Sequence, residues 1–440
     1  MESLIITGGV LLFFVLLMLS IALHELGHMM FAKKFGVRVT QYMVGFGPTI
    51  KSWRRGDTEY GLKWIPLGGY IRMIGMLPPR KSDPDGMIRN YSTGRFQMLI
   101  DSAREGALEE VGPDDENRVF YSKKWWQKLT IMFAGPAMNL MLAVVFFAIL
   151  IMGIGINKPI PVISSVAKCT VSVKVAVEAN GQEHVCTPAE TAISTPAAKA
   201  GLQPGDRFVS YNGQKISDYS QLQKLIRATP NQTVPAVVER QGKQINVQIP
   251  VTANQLVDLK DNSKVVTAGF VGLTPLSGYV RGGPGEVVAQ LGDMTTRTLD
   301  SFAHLPQKMV GVWQAAFSGK ERDPNGPIGV VGASRLGGEI VASESPVKSK
   351  FVQFLGLLAS INFAVGMFNL IPLLPLDGGH MAGAIWEGIK RNWARIVKRP
   401  DPGYVDVAKL LPLTYAMSLV FLVMGALLVY ADLINPIKFT

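Results

Sequence analysis

The sequence is short of several things, and each shortage narrows what it can be. Cysteine occurs only at Cys169 and Cys186 in 440 residues. At most one internal disulfide can therefore form, and spacing alone leaves a bridge and two free thiols both open. No paired internal repeats are visible, and the long apolar runs carry no scattered charges. Transporters build their paths from such repeats and charges, so that class is disfavoured. The first apolar run is preceded by Glu2 and by no Lys or Arg. A secretory leader has a basic start and a small-residue cleavage site, so no cleaved leader is expected here.

What the chain does have is four uncharged apolar runs, at 4–23, 129–157, 351–376 and 410–431. A bilayer is crossed by about 20 apolar residues, so each is long enough. The formal net charge is +11, which could suggest nucleic acid, but the basic residues crowd the ends of the runs. Lys33, Lys34, Arg38, Lys51, Arg54 and Arg55 follow the first run, and Lys123, Lys124 and Lys128 precede or open the second. Lys390, Arg391, Arg395, Lys398 and Arg399 follow the third. Basic flanks mark the cytoplasmic side, so both termini and 158–350 are expected outside, with 33–128 and 377–409 inside.

The first run ends in Ile21-Ala-Leu-His-Glu-Leu-Gly-His28. On a helix, His24 and His28 lie four residues apart on one face. Two such imidazoles can bind one zinc ion, and Glu25 between them can serve as general base. A lone buried histidine is usually a packed core residue; the full H-E-x-x-H pattern outweighs that reading. The third run ends in Asn369-Leu-Ile-Pro-Leu-Leu-Pro-Leu-Asp-Gly-Gly-His380. Pro372 and Pro375 break the helix there, and Asp377 arrives at the depth and side of the two histidines. It is the expected third ligand. A cap on a helix over 381–389 is the competing role, and His380 is a weaker competitor for the metal.

Between these landmarks, residues 37–76 alternate in three stretches punctuated by Gly45-Phe-Gly-Pro48 and Pro66-Leu-Gly-Gly69. A small antiparallel sheet against the membrane is expected. An exposed edge near Gly68, Gly69 and Tyr70 could pair with an extended substrate, although a plain packing hairpin fits nearly as well. Residues 78–124 read as a surface insert. Asn139, polar within the second run, either packs helices or positions substrate. From Pro196 to Ile249 a tight Gly-Asp turn, a strand, an Asn212-Gly213 turn, a helix and a hairpin follow in order. That pattern resembles a PDZ domain of the bacterial protease-associated type over roughly 160–252. Residues 285–316 have amphipathic helical spacing, and His184 and His304 stand alone.

Taken together, His24-Glu-Leu-Gly-His28, Gly135-Pro-Ala-Met-Asn139 and Asn369-x-x-Pro-x-x-Pro-Leu-Asp-Gly-Gly379 resemble the site-2 protease family of intramembrane zinc metalloproteases. The nearest likeness is to bacterial regulators of sigma-E-type proteases with a single PDZ domain. The resemblance implies a zinc metalloendopeptidase with one zinc on His24, His28 and Asp377 and with Glu25 as base. It puts the edge strand and Asn369 beside an unwound substrate. Implied substrates are single-pass membrane proteins such as anti-sigma factors already trimmed by an upstream site-1-type protease. The implied location is the inner (plasma) membrane, with the site near the cytoplasmic side and no nucleic-acid partner. The expected fold is a polytopic α-helical membrane protein of four transmembrane helices, with a small membrane-associated β-sheet and an inserted extracytoplasmic PDZ-like α+β domain. In order, these are a first span with its motif (1–36), the β-region (37–77), the insert (78–127) and a second span (128–157). Then come the PDZ-like domain (158–255), a connector with an amphipathic helix (256–350), a third span (351–376), the Asp377 segment with an amphipathic stretch (377–409) and a fourth span (410–434). The rival function is a non-catalytic PDZ-containing membrane adaptor with a structural, four-ligand zinc.

Overall fold

The computed structural model describes residues 2–78, 111–112, 115–167, 194–259, 264–324 and 326–437. Cys169, Cys186, His184 and most of the 78–124 insert lie outside them. The chain divides into two compact units, one formed by Met1–Gly153 with Gly283–Thr440 and the other by Ile154–Gly282.

In the first unit, four helices among the described residues are long and apolar enough to cross a membrane. They are α1 (Glu2–Lys34), α2 (Trp125–Ala148, continued by a π-helical turn Ile149–Ile154), α8 (Val347–Asn369) and α10 (Leu411–Ile434). The buried stripe of α1 is Phe13, Leu17, Ser20, His24 and His28, spaced three or four residues apart. The outward face carries Leu11, Leu12, Val15 and Leu19, all exposed. Polar groups therefore face inward and apolar ones outward, the inverse of a water-soluble helix and the arrangement a bilayer demands. On α2 the inward residues include Lys128, Ile131, Gly135, Asn139 and Ala143.

Antiparallel β1 (Val39–Arg55) and β2 (Thr58–Met73) connect α1 to the segment before α2. Residues 41–44 pair with 69–72 on one side and with 59–62 on the other, so β2 bends around β1. The glycine stretches expected to separate strands instead lie within them, as irregularities of register. Gly45, Gly47 and Gly68 adopt φ of +91°, +81° and +128°, values at which a bulge bends a strand without ending it. Tyr42 ties the sheet to α1 by donating to the Ala22 carbonyl at 2.7 Å. Its phenol is pushed up to about 12, first by burial and then by the Glu25 carboxylate, so it stays protonated and able to donate.

Four further α-helices belong to this unit among the described residues. The single amphipathic helix expected over 285–316 is two, α5 (Pro284–Ala303) and α6 (Leu305–Phe317), because Pro306 cannot continue the α5 ladder. Helix α7 (Val330–Ala342) was not legible in the sequence; its Gly337 and Gly338 press against Phe13 and Val10 of α1. The last, α9 (Asp377–Ile396), follows α8. Helix α8 ends at Asn369, seven residues short of the apolar run, as its two prolines dictate.

The second unit holds β3 (Ile156–Val166), α3 (Pro196–Lys199), β4 (Arg207–Tyr211), β5 (Gln214–Lys215), α4 (Tyr219–Arg227), β6 (Thr233–Arg240) and β7 (Lys243–Pro250). It continues through β8 (Thr252–Val257), β9 (Val265–Phe270) and β10 (Leu273–Val280). Its main sheet has the order β10-β3-β4-β6-β7, with β5 on β4, and β8 and β9 form a separate hairpin. The unit therefore reaches Gly282, beyond the expected 255, because β10 returns to pair with β3. Val234, Ala236 and Val238 alternate inward along β6 to meet Phe208, Tyr211, Leu222 and Ile249. The Gly-Asp turn is locked from below. Asp206 is fully buried and accepts from Arg240 Nε at 2.7 Å and a terminal nitrogen at 2.8 Å, and from the Gln203 amide at 2.8 Å.

Candidate metal centre

Three side chains from two distant parts of the chain meet beside α2. His24 and His28 come from the buried face of α1, and Asp377 is the first residue of α9. Its N-cap is Leu376, so the capping role considered for Asp377 does not hold; the helix starts earlier and runs longer than 381–389. His24 Nε2 lies 3.2 Å from His28 Nε2, and Asp377 Oδ2 lies 3.2 Å from His24 Nε2 and 3.3 Å from His28 Nε2. Among the described residues this is the single cluster of three His, Cys or carboxylate side chains whose donor atoms converge in this way.

The triangle fits a zinc ion. Tetrahedral bonds of about 2.0–2.1 Å hold neighbouring donors about 3.3–3.4 Å apart, close to all three observed edges. The hydrogen bonding agrees. His28 Nδ1 is 2.7 Å from the Ile131 carbonyl oxygen, which can only accept. Nδ1 therefore carries the proton and Nε2 presents its lone pair to the centre of the triangle. These three donors, the only ones that converge here among the described residues, would leave room for water or substrate on a bound zinc, as hydrolytic sites require and structural four-ligand sites do not.

Close packing sets the position of His28. A Cβ on Gly135 would stand 2.1 Å from His28 Nε2, and a Cβ on Gly27 would stand 2.4 Å from the Ala134 carbonyl oxygen. Only glycine at both positions lets α1 and α2 approach this closely. Glu25 lies one residue from His24, with its carboxyl near both imidazoles, Asp377 and the Ile71 main chain. A Cβ on Gly69 would stand 3.1 Å from Glu25 Cγ, so β2 runs directly past this carboxylate.

The other singled-out residues are more scattered. Gly69 is at the site. Tyr70 stacks on Phe46, with centroids 6.0 Å apart, and donates to Gln41 at 3.4 Å; Gly68 lies against the same Phe46 ring. Asn139 is buried in α2 one turn beyond Gly135, and its Oδ1 has no hydrogen-bond partner among the described residues. Asn369 ends α8 and borders an apolar cavity of about 610 Å³ lined by Phe302, Met309, Ile361, Phe368 and Met424. His380 stands outside the donor triangle, in a small cavity with Lys128 and Glu387. His304 is exposed at the end of α5.

Two features went unread in the sequence. Asn362 of α8 is buried and donates to Ser20 of α1 at 3.1 Å, one turn before His24. It could have been found as Asn139 was, as an amide within an apolar run. The buried ion pair between Lys128 of α2 and Glu387 of α9, at 2.8 Å, joins residues too far apart in sequence to carry a local signal.

Comparison with known proteins places the chain in a family. The model of Peptidase family M50 matches residues 12–399. The Zinc metalloprotease Rip1 of Mycobacterium tuberculosis is 33% identical over 98% of this chain and 98% of its own length. Its namesake from Mycolicibacterium smegmatis is 34% identical over the same shares. Metalloprotease MmpA of Caulobacter vibrioides is 27% identical over 84% of each chain. With a family match spanning most of its length and near-full-length relatives above 30% identity, the chain belongs to Peptidase family M50, the site-2 protease family of zinc metalloproteases.

Proposed function

We propose that this protein is an intramembrane protease that cleaves the transmembrane segments of single-pass membrane proteins, with one zinc ion per chain held by His24, His28 and Asp377. The observation that carries the reading is the three-donor triangle with edges of 3.2–3.3 Å, enclosed by helices of membrane-spanning length. When bound, zinc supplies a Lewis acid that polarises the scissile carbonyl and acidifies water. Glu25 then acts as the proton carrier, taking a proton from the attacking water and delivering it to the leaving amine. Helical carbonyls are hydrogen-bonded and shielded, so the substrate must unwind first. The β2 edge at Gly68, Gly69 and Tyr70 offers main-chain partners to an extended segment beside Glu25. Asn139 and Asn369 are proposed to hold substrate amides; the buried Oδ1 of Asn139, unpartnered among the described residues, supports the first.

The Ile154–Gly282 unit is proposed to be a PDZ-like module that takes extended peptides. Among the described residues its end strand β10 leaves one edge unpaired in the sheet, and a cavity of about 160 Å³ is lined by Tyr219, Ile226, Arg227, Phe270 and Gly272. The basic flanks support an inner-membrane orientation with both termini and this unit outside. Substrates trimmed beforehand by an upstream protease, anti-sigma factors among them, fit such a module. Three converging metal donors among the described residues, rather than four, weigh against the adaptor reading.

The test is Glu25→Gln in the detergent-solubilised full chain, with a single-span peptide substrate. Cleavage is expected to stop while one zinc per chain remains. Full cleavage by this variant would remove Glu25 from its role; a zinc content of zero in the unmodified protein would remove the mechanism.

A further inference from the structure

Helix α9 is apolar on the side that faces away from the protein. Its inward face is Ala384, Glu387, Gly388 and Ala394, all buried. On the opposite face Trp386, Ile389, Trp393 and Ile396 are 54%, 52%, 65% and 74% exposed, at the three- and four-residue spacing of one continuous stripe. An open groove of about 410 Å³ follows this stripe, lined by Trp386, Ile389, Trp393 and Val397, with Lys390 and Arg399 at its margin. From 385 to 399 the chain carries five cations, Lys390, Arg391, Arg395, Lys398 and Arg399, against the single carboxylate Glu387. That carboxylate is buried against Lys128 and Arg391.

The depth of this helix is fixed by its neighbour. A Cβ on Gly388 would lie 2.7 Å from the indole of Trp125, so α9 crosses α2 where Trp125 opens the spanning segment. Trp126 stands there too, edge-on to Phe35 just past α1 with centroids 5.4 Å apart. Tryptophans and basic residues collect at this level, the composition of a membrane–water boundary. In water the stripe would be an uncovered apolar face. In the headgroup layer its indoles and isoleucines reach the acyl chains, and its cations meet lipid phosphates.

We propose that α9 lies in the bilayer interface and binds anionic phospholipid through the groove between Trp386 and Val397. The stripe takes the upper acyl chain and Lys390, Arg395, Lys398 and Arg399 take the headgroup. Because Asp377 opens this helix, lipid that seats α9 also holds the third metal donor at its depth. The lipid site depends on the membrane reading but not on peptide hydrolysis, and the readout below is independent of cleavage.

The experiment reconstitutes the full chain into phosphatidylcholine vesicles holding one quarter phosphatidylglycerol. Bromine is placed on the acyl chains of one lipid or the other at equal mole fraction, and tryptophan quenching is recorded. Brominated phosphatidylglycerol is expected to quench more strongly than brominated phosphatidylcholine. The excess should vanish in Trp386→Phe/Trp393→Phe. It should also fall away when Lys390, Arg395, Lys398 and Arg399 are changed to Gln, each lost charge weakening anionic-lipid binding about fivefold. Equal quenching by the two lipids in the unmodified protein would overturn the proposal, as would an excess that survives the double Phe substitution. Protection of both indoles from either lipid, with a cross-linked dimer in the vesicles, would assign the stripe to a second copy and overturn it equally.

Discussion

Gly135→Ala is a one-methyl test of how the metal centre is built. The added Cβ would stand 2.1 Å from His28 Nε2 and 2.6 Å from the two carbons beside it. Ordinary contact begins near 3.4 Å, so the ring or the helix has to give by about 1.3 Å along that line. The imidazole is not free to yield at no cost, because its other nitrogen donates to Ile131 at 2.7 Å. A shift of that size takes one donor far outside the tolerance of about 0.2 Å on zinc–ligand distances. Zinc affinity should fall by about 100-fold or more, the upper end for disturbed ligand orientation, and cleavage should fall with it. Crowding also costs stability, about 1–3 kcal/mol for an overpacked interior, so melting must be measured alongside. Gly425→Ala on α10 is the control, since among the described residues no atom beyond its own turn of helix lies within 4 Å of its added Cβ; it should leave zinc affinity unchanged and should not lower the melting temperature. Affinity is read by competition with a metal indicator in detergent. If Gly135→Ala binds zinc as tightly as the parent, the close approach of α1 and α2 does not set the ligand geometry, and the reasoning fails.

The remaining predictions concern metal, charge and pH. Chelation of the purified protein should lower its melting temperature, because an ion bound only by the folded state at 1,000 times its Kd stabilises by about 4 kcal/mol; Asp377→Asn should melt low already and respond little to the chelator. Lys128→Met should cost about 3 kcal/mol in denaturant unfolding, as the buried Glu387 then keeps Arg391 at 3.2 Å and the Val405 amide at 3.3 Å but loses the cation held at 2.8 Å. Changing Glu387 to Met as well should recover most of that loss. In the Ile154–Gly282 unit, burial alone would raise the Asp206 pKa, but the Arg240 guanidinium and the Gln203 amide hold it below its ordinary value. Its stabilisation is therefore fully present above the unfolded pKa of about 3.9 and is lost as pH falls through the lower folded one. Hydrogen exchange of β4 and β6 amides should accelerate in that acid window in the parent, and should show no such step in Asp206→Asn.

The sequence disclosed what was local or repeated along one helix. The pair His24 and His28 is legible because four-residue spacing fixes relative position on any helix, whatever the rest of the chain does. The four spans are legible because bilayer thickness sets a length that composition must match. Asp377 was reachable by a depth argument, which needs only the direction of each crossing. The misses have a common cause as well. The β1–β2 sheet continues through Gly45-Phe-Gly-Pro48, since glycine with positive φ can bend a strand as readily as end it. Ser20 with Asn362, Lys128 with Glu387, and α7 with α1 are contacts between distant segments, and no window of sequence contains both partners.

The two halves of the donor set are held by opposite means. His24 and His28 are spaced by regular helix, the most predictable geometry a chain has. Asp377 is delivered by a break in helix, and the two residues after it show how tightly that break is folded. A Cβ on Gly378 would lie 2.1 Å from the Ile371 carbonyl oxygen, and one on Gly379 would lie 2.5 Å from the Leu374 amide nitrogen. The non-helical segment 370–376 thus packs directly on the first turn of α9, and any side chain at 378 or 379 would push Asp377 from the imidazoles. The prolines at 372 and 375 remove the alternative of a continued helix, and the glycines permit the fold-back that replaces it. In this chain Asp-Gly-Gly serves as steric clearance for the aspartate. Hence Gly378→Ala or Gly379→Ala should weaken zinc binding without altering any metal ligand, and a metal competition titration of either variant reads it directly. Tight zinc binding by both would mean that 370–376 can relax away from α9, and that Asp377 owes its position to the helix alone.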